Sequence, residues 1–201
     1  MKKVLLLLVA AAAGFAVYWF FIRSKDSGPS GPKQEALKVG KHSKAFNDSV
    51  ANMLNPYFEM KTAFVTADTA GVKTACRKLV AQATAIQLTE LKKDTTGIFE
   101  SAFAQLGDIK ANAESLLKQT DITEMRMDFK AVGDNLYPFL KTIKYDGQKL
   151  YWQNCPMAFG ENKPAEWLSN SAEVVNPYLG DNHPEYKNTM LHCGSVVDSI
   201  Q

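Results

Sequence analysis

Cysteine and histidine are both scarce in this 201-residue chain, which contains three residues of each. A repeated Cys-x-x-Cys pattern, which would indicate a zinc cage, is absent. The sequence also lacks a nucleophile elbow, a metal-hydrolase histidine pair and a Gly-rich phosphate loop. We therefore predict that the protein is not an enzyme.

A large excess of charge of one sign is also missing. The chain contains 23 Lys and Arg residues against 21 Asp and Glu residues. Four of the basic residues flank the apolar N-terminus, and no acidic residue precedes Asp26, so the rest of the chain holds 19 basic and 21 acidic residues. This net charge of −2 forms no basic stripe, and we predict no nucleic-acid partner.

The N-terminus contains a long apolar run. No residue between Val4 and Ile22 is charged, and such a run forms a helix about 28 Å long, close to the hydrocarbon thickness of a bilayer. A cleaved signal peptide has a shorter apolar region, whereas here GFAVYWFFI continues beyond three alanines. The absence of a nearby cysteine excludes a bacterial lipoprotein anchor. We predict that residues 1–23 are an uncleaved transmembrane anchor that passes once through a membrane.

The residues after this anchor are rich in Gly, Ser and Pro, and they contain little to bury. This composition predicts a flexible linker over residues 24–40. The remaining residues, 41–201, are enough for one domain with a hydrophobic core. The basic residues on the two sides of the anchor nearly balance, so they do not set its orientation.

Apolar residues recur at three- and four-residue steps between Lys41 and Ile143, which is the period of amphipathic helices. Four such stripes are separated by short polar breaks, and this pattern predicts a mainly α fold, an up-and-down four-helix bundle. The stripes cover residues 46–64, 72–86, 98–116 and 122–143. Pro56 and Pro138 are expected to kink or divide their helices.

Polar residues in the breaks are the candidates for helix N-caps. They are Asp68 or Thr69, Asp94 or Thr95, and the pair Thr120-Asp121. Cys76 lies on the apolar stripe of the second helix, which predicts a buried structural thiol.

From about residue 145 the chain loses its periodicity and becomes rich in Pro and Gly. Asp146-Gly147 is a turn signal, and the residues Leu150–Gln153 predict a short strand. We predict an irregular C-terminal lobe with at most one short hairpin, and irregular segments of this length tend to be functional.

Two Cys/Met pairs lie within this lobe. Cys155 and Met157 flank Pro156, and an extended chain places both side chains on one face. Met190 and Cys193 are three residues apart, as on one helical turn. Their soft sulfur atoms favour Cu(I), and an imidazole from His192 or His183 could add to the ligand set or replace a methionine in it. Trp152 and Trp167 are expected to shield the site.

Two other interpretations of these residues remain open. Outside the cytoplasm, Cys155 and Cys193 would form a disulfide by default. Closing a loop of this length stabilises a domain by roughly 4 kcal/mol in the chain-entropy estimate. Alternatively, Met157 and Met190 are simply core residues.

The order of motifs in the lobe resembles the closing signature of an uncharacterised bacterial family best known from Bacteroidetes. The signature reads C-P-M, W-L-S, N-P-Y-x-G and M-L-x-C-G. It is carried here by the following residues: Cys155, Pro156 and Met157; Trp167, Leu168 and Ser169; Asn176, Pro177, Tyr178 and Gly180; and Met190, Leu191, Cys193 and Gly194.

Similar domains are fused to periplasmic adaptor subunits of copper and silver efflux pumps. The resemblance thus implies a periplasmic, copper-linked role and a metal-efflux complex as partner, by analogy. This chain departs from the pattern by inserting DNHPEYKNT between Gly180 and Met190.

The sequence therefore leaves two hypotheses. In the first, a membrane-anchored periplasmic module at the inner membrane binds a soft metal, with Cu(I) as the expected ion, for efflux or homeostasis. In the second, the lobe is closed by a Cys155–Cys193 disulfide and the domain is a non-catalytic envelope interaction module without metal.

Overall fold

A computed structural model describes residues 41–200 of the chain. It contains four α-helices, one short 3₁₀ helix and three β-strands. Their bounds are α1 Lys44–Val65, α2 Thr69–Ala85, the 3₁₀ helix Thr89–Lys93, α3 Ile98–Lys118, α4 Ile122–Thr142, β1 Leu150–Cys155, β2 Ala165–Ser169 and β3 Ser195–Ile200. The predicted anchor and linker lie outside the described residues. Among the helices of residues 41–200, none is long and apolar enough to cross a membrane.

Side-chain caps explain where three of the four helices begin. The Ser43 hydroxyl accepts a hydrogen bond from the N–H of Phe46, and the Asp68 carboxylate accepts one from Gly71. The Asp121 carboxylate accepts from the two N–H groups of Thr123 and Glu124. Each cap satisfies N–H groups that the first turn of a helix leaves without a partner. The expectations at Asp68 and Asp121 are thus confirmed.

The start of α3 differs from the prediction. This helix follows Gly97, which adopts a left-handed φ of 84° and makes no side-chain cap. Asp94 instead accepts hydrogen bonds from the N–H and the hydroxyl of Thr96 within the preceding turn. The expected cap at Asp94 or Thr95 is therefore wrong, because Asp94 caps a local turn three residues too early.

The core lies between the helices, and each helix packs against the next one in the chain. All four predicted helices are present, and Pro56 and Pro138 lie inside α1 and α4 without dividing them. The rings of Tyr57 and Phe129 stack with their centroids 4.9 Å apart and so join α1 to α4. Aromatic pairs of this kind add about 0.5–1.5 kcal/mol beyond the area that they bury.

The C-terminal lobe contains a three-stranded antiparallel sheet with the order β2-β1-β3. The expected limit of one short hairpin is therefore wrong. β1 pairs Trp152 with Leu168 of β2 and Leu150 with Ile200 of β3. Neither outer strand shows an alternating apolar pattern, because β2 is buried on both faces and β3 is exposed except at Ile200.

One face of the sheet packs on the helices. The N–H of Leu168 donates to the hydroxyl of Tyr57, and the ring of Trp152 stacks on Tyr137 of α4 at 4.5 Å. Residues 171–194 cover the other face, where the side-chain amide of Gln153 donates to the carbonyl groups of Ser171 and Glu173. The candidate site lies where this covering segment returns to the sheet.

Candidate functional site

The sulfur atoms of Cys155 and Cys193 lie 2.9 Å apart, and both cysteines are free. Cys155 is the buried last residue of β1. Cys193 is half-buried in the turn that precedes β3. The structure thus brings together two of the residues that the sequence singles out.

The path of the chain before β3 explains this contact. Asn154 pairs with Ser195 in the sheet, so the residues just before Ser195 pass beside the end of β1. Gly194 adopts a φ of 135°, and a Cβ atom there would lie 2.4 Å from the carbonyl oxygen of Asn154. Only glycine permits both the backbone conformation and the close approach. Gly194 therefore allows Cys193 to reach Cys155.

Asn176 joins the N-P-Y segment to the cysteine turn. Its side-chain amide donates to the carbonyl oxygen of Cys193 at 2.9 Å, and its main-chain N–H donates to the carbonyl of Leu191 at 2.8 Å. Its side-chain oxygen accepts hydrogen bonds from the N–H groups of Tyr178 and Leu179. This fully buried side chain therefore fixes two loops against each other.

Trp167, Pro177 and Tyr178 have structural roles beside the cysteine turn. The rings of Trp167 and Tyr178 meet edge to face at 5.8 Å, and the Tyr178 hydroxyl donates to the carbonyl of Glu166. Burial raises the pKa of Tyr178 well above its usual value. The carbonyl of Pro177 accepts a hydrogen bond from Arg126 of α4. These contacts fasten the covering segment to the sheet and the bundle.

Gly180 fastens the same segment to the end of α1. Its φ is 62°, and a Cβ atom would lie 2.5 Å from the carbonyl oxygen of Val65. That oxygen also accepts a hydrogen bond from the N–H of Asp181. The glycine of N-P-Y-x-G therefore allows two stretches of backbone to touch.

The two methionines lie in turns next to the cysteines. Met157 and Met190 are half-buried and pack against the core. The carbonyl of Met190 accepts the N–H of Cys193, which closes a tight turn, while the carbonyl of Met157 accepts the N–H of Gly160. Pro156 between the first pair is exposed.

The other predicted residues are engaged elsewhere. Trp152 stacks on Tyr137 at the helix-facing side of the sheet, whereas alternation along β1 places Cys155 on the opposite side. The expected shielding by Trp152 is therefore wrong. His192 is exposed, and its Nδ1–H donates to the carbonyl of Val174 at 2.7 Å. Nδ1 of His183 accepts hydrogen bonds within its own turn.

The local electrostatics keep Cys193 protonated at neutral pH. Burial and the hydrogen bond with Cys155 raise the pKa of the Cys193 thiol to about 12. The sulfur separation of 2.9 Å exceeds the disulfide bond length of about 2.05 Å. It falls short of the roughly 3.8 Å between two sulfurs at 2.3 Å from one tetrahedral ion. Oxidation therefore requires the sulfurs to approach, and metal binding requires them to lose protons and separate.

The donor set is limited to sulfur. Within residues 41–200, no group of three or more His, Cys, Asp or Glu side chains is placed to hold a metal ion. A metal at the cysteine pair would therefore depend on thioethers or solvent for any further ligands. Such a set suits a soft ion that accepts low coordination better than it suits zinc.

Two buried basic residues were missed by the sequence analysis. Lys61 of α1 is 8% exposed and donates to the hydroxyl of Ser169 at 3.0 Å; Arg126 of α4 is also 8% exposed. Burial lowers the pKa of both side chains. Their position in the sequence could have indicated burial. Lys61 lies between the apolar stripe residues Met60 and Phe64, and Arg126 lies between Met125 and Phe129.

Comparison with known proteins gives one family. The family described as "Protein of unknown function (DUF3347)" matches residues 53–148, which is just under half of the chain. The match fits an uncharacterised domain. It covers most of α1 and all of α2–α4, and it ends before β1. The motifs of the C-terminal lobe therefore lie outside the matched residues. The searches of curated proteins and of solved structures found no match.

Proposed function

We propose that the C-terminal lobe binds one soft metal ion, with Cu(I) as the preferred ion, through the thiolates of Cys155 and Cys193. The observation that supports this proposal is the contact between their sulfur atoms at 2.9 Å. Met157 and Met190, each in a turn beside one of the cysteines, supply thioether ligands. His192 is a weaker additional candidate, since its Nδ1 is engaged by Val174.

The chemistry of the pair suits a soft ion. Thiolates are soft ligands that bind Cu(I) strongly, and an ion displaces their protons on binding. Cys193 is the half-buried partner in a turn, whereas Cys155 is fixed at the end of a strand. A small rotation of the Cys193 side chain would therefore open the sulfur pair, and the surrounding fold would remain in place.

The setting of this site is also part of the proposal. The four helices act as a rigid up-and-down bundle that supports the lobe. Residues 1–23 anchor the protein in the inner membrane as a single span, with the domain in the periplasm beside a metal-efflux complex. The resemblance of the C-P-M to M-L-x-C-G series to domains fused to copper efflux adaptors supports this setting. Intact-mass measurement of membrane-purified protein tests the anchor, since a mature N-terminus at Gly14 or later would contradict it.

Competition with a Cu(I) chelator under reducing conditions tests the metal site. Cys155→Ser or Cys193→Ser should nearly abolish binding, because thiolates dominate the affinity. Met157→Leu or Met190→Leu should weaken binding and largely preserve the fold, since these swaps keep the volume. Cys76→Ser is the matched control, as it removes a cysteine outside the lobe. Equal Cu(I) affinity in the wild type and the double variant of Cys155 and Cys193 would refute the proposal.

A second candidate is a non-catalytic envelope interaction module whose lobe is closed by a Cys155–Cys193 disulfide. It is favoured by two thiols in contact without a third His, Cys, Asp or Glu ligand in the described residues. The chain-entropy estimate gives a stabilisation of roughly 4 kcal/mol for a loop of this length.

Thermal unfolding with and without a reductant distinguishes the two candidates. If the disulfide is structural, the wild type should lose thermal stability when a reductant is added. The double serine variant should then have the same stability with and without the reductant. If the pair is a metal site, the reduced protein should gain stability when Cu(I) is added.

A further inference from the structure

A small cavity lies between α4 and the segment that covers the sheet, and its volume is about 250 Å³. Its walls include Arg126 and Met127 of α4, the turn around Phe159, and a group made of His183, Glu185 and Tyr186. The last group belongs to the DNHPEYKNT insertion. The cavity does not include Cys155, Met157, Met190 or Cys193.

Arg126 supplies a buried positive charge at this cavity. Its Nε donates to the carbonyl of Pro177 at 3.2 Å, and its Nη2 donates to the carbonyl of Phe64 at 3.3 Å. No carboxylate forms an ion pair with it within residues 41–200. The exposed Asp121 carboxylate acts on Arg126 only at longer range. A guanidinium remains charged in a protein, and a buried charge without a direct ion-pair partner is costly. An anion in the cavity would reduce that cost.

His183 supplies a neutral donor at the same cavity. Its Nδ1 accepts hydrogen bonds from the N–H groups of Glu185 and Tyr186, both at 3.2 Å. Burial, followed by the charge of Arg126, lowers the pKa of this imidazole. The neutral ring therefore carries its proton on Nε2, because Nδ1 is the acceptor. His183 lines the cavity with this donor still available.

Aromatic rings also line the cavity. Phe159 packs on Tyr178 at 5.3 Å between ring centroids, and Tyr186 stacks on His183 at 4.9 Å. Met127 is 46% exposed beside them, a large fraction for an apolar side chain. These groups suit a flat apolar ligand. Glu185 also lines the cavity, and its charge favours a ligand with one negative charge over one with two.

We propose that this cavity binds a small aromatic monocarboxylate. The carboxylate meets Arg126 and the Nε2–H of His183, and the ring lies against Phe159 and Tyr186. Arginine is suited to this contact because its charge-assisted hydrogen bonds to carboxylates are strong and directional. The volume lies just below the usual range for ligand pockets, roughly 300–1,000 Å³, so the ligand is the size of one substituted ring.

Calorimetric titration of the full-length chain with benzoate tests this proposal. Benzamide is the matched neutral ligand, since it has nearly the same shape without the charge. Benzoate should bind at least ten times more tightly than benzamide. Equal affinity for the two compounds, or no detectable binding of benzoate, would overturn the proposal.

Two substitutions locate the binding. Arg126→Gln should reduce benzoate affinity at least tenfold, whereas Arg77→Gln on the exposed surface of α2 should leave it unchanged. Because Arg126→Gln removes buried hydrogen bonds and risks misfolding, Tyr186→Ala in the insertion provides a second variant. Tyr186→Ala should weaken benzoate binding about fivefold, and unchanged affinity in either folded variant would contradict the assignment.

Discussion

The side-chain amide of Asn176 donates a 2.9 Å hydrogen bond to the carbonyl oxygen of Cys193, across 17 residues of sequence. The same side chain also accepts hydrogen bonds from Tyr178 and Leu179. One amide thus joins the N-P-Y loop to the cysteine turn, and the position of Cys193 depends on it.

Asn176→Ala should lower the free energy of unfolding by about 2–4 kcal/mol. The change leaves two buried N–H groups and one carbonyl without their partner, and each such loss costs about 1–3 kcal/mol before the loops relax. Urea denaturation measures the effect. Asn170→Ala, at an exposed position after β2, is the control and should change the value by less than about 0.5 kcal/mol. A similarly small effect at Asn176 would show that its hydrogen bonds do not hold the lobe.

Gly180→Ala should destabilise the protein more than Gly160→Ala. Both glycines have a positive φ, of 62° and 110°, so both substitutions strain the backbone. Only at Gly180 would the new Cβ also meet backbone, at 2.5 Å from the carbonyl oxygen of Val65, while nothing lies within 4 Å of Gly160. We expect a difference of at least about 1 kcal/mol in urea unfolding, the order of cost of a forced contact. Equal losses would mean that the contact with α1 relaxes freely.

Cys76 should resist alkylation in the folded protein. Burial raises the pKa of its thiol to about 12, and the thiol donates to the carbonyl of Ala113. Only the thiolate reacts, and the raised pKa leaves very little of it at pH 8. The measurement is mass spectrometry after iodoacetamide treatment, in a Cys155→Ser/Cys193→Ser background that leaves one cysteine. Full labelling after denaturation is the positive control, and rapid labelling of the native protein would contradict burial.

Lys61 should make stability rise with pH on the alkaline side of neutrality. Burial lowers its pKa below the usual 10.5 in the folded protein. Between the lowered folded pKa and 10.5, the unfolded chain binds more protons than the folded one, so the free energy of unfolding increases with pH across that window.

Lys61→Met keeps the aliphatic stem and removes this contribution. The difference in unfolding free energy between wild type and variant should therefore grow with pH in favour of the wild type and level off above about pH 10.5. Lys78→Met is the matched control for the loss of a lysine at an exposed position. A difference that stays constant from pH 7 to pH 10 would contradict the prediction.

The helices could be predicted from the sequence because each has one apolar face, and the period of that face survives Pro56 and Pro138. β3 could not be predicted in the same way. Its residues are exposed up to Ile200, so burial imposes no alternation on Val196 and Val197. Its pairing with β1 depends on Gly194, whose requirement for a positive φ is invisible without the neighbouring carbonyl of Asn154.

The candidate site could also be predicted only in part from the sequence. The spacing of Cys155 from Met157 and of Met190 from Cys193 singled out the two cysteines, but the contact between them depends on strand pairing between residues far apart in the chain. The buried charge of Arg126 was missed because a long basic side chain on a helix normally extends along the surface to solvent. Here the carbonyl groups of Phe64 and Pro177 take its hydrogen bonds instead.

The pairing of β1 with β3 has a consequence for how the chain folds. Trp152 pairs with Leu168 of β2 and with Asp198 of β3, so the second partner of the central strand lies about thirty residues further along the chain than the first. A chain that has paired β1 with β2 and has not yet added β3 therefore has an open strand edge, which invites pairing with other chains. A truncation within residues 171–194 would hold the protein in this vulnerable state.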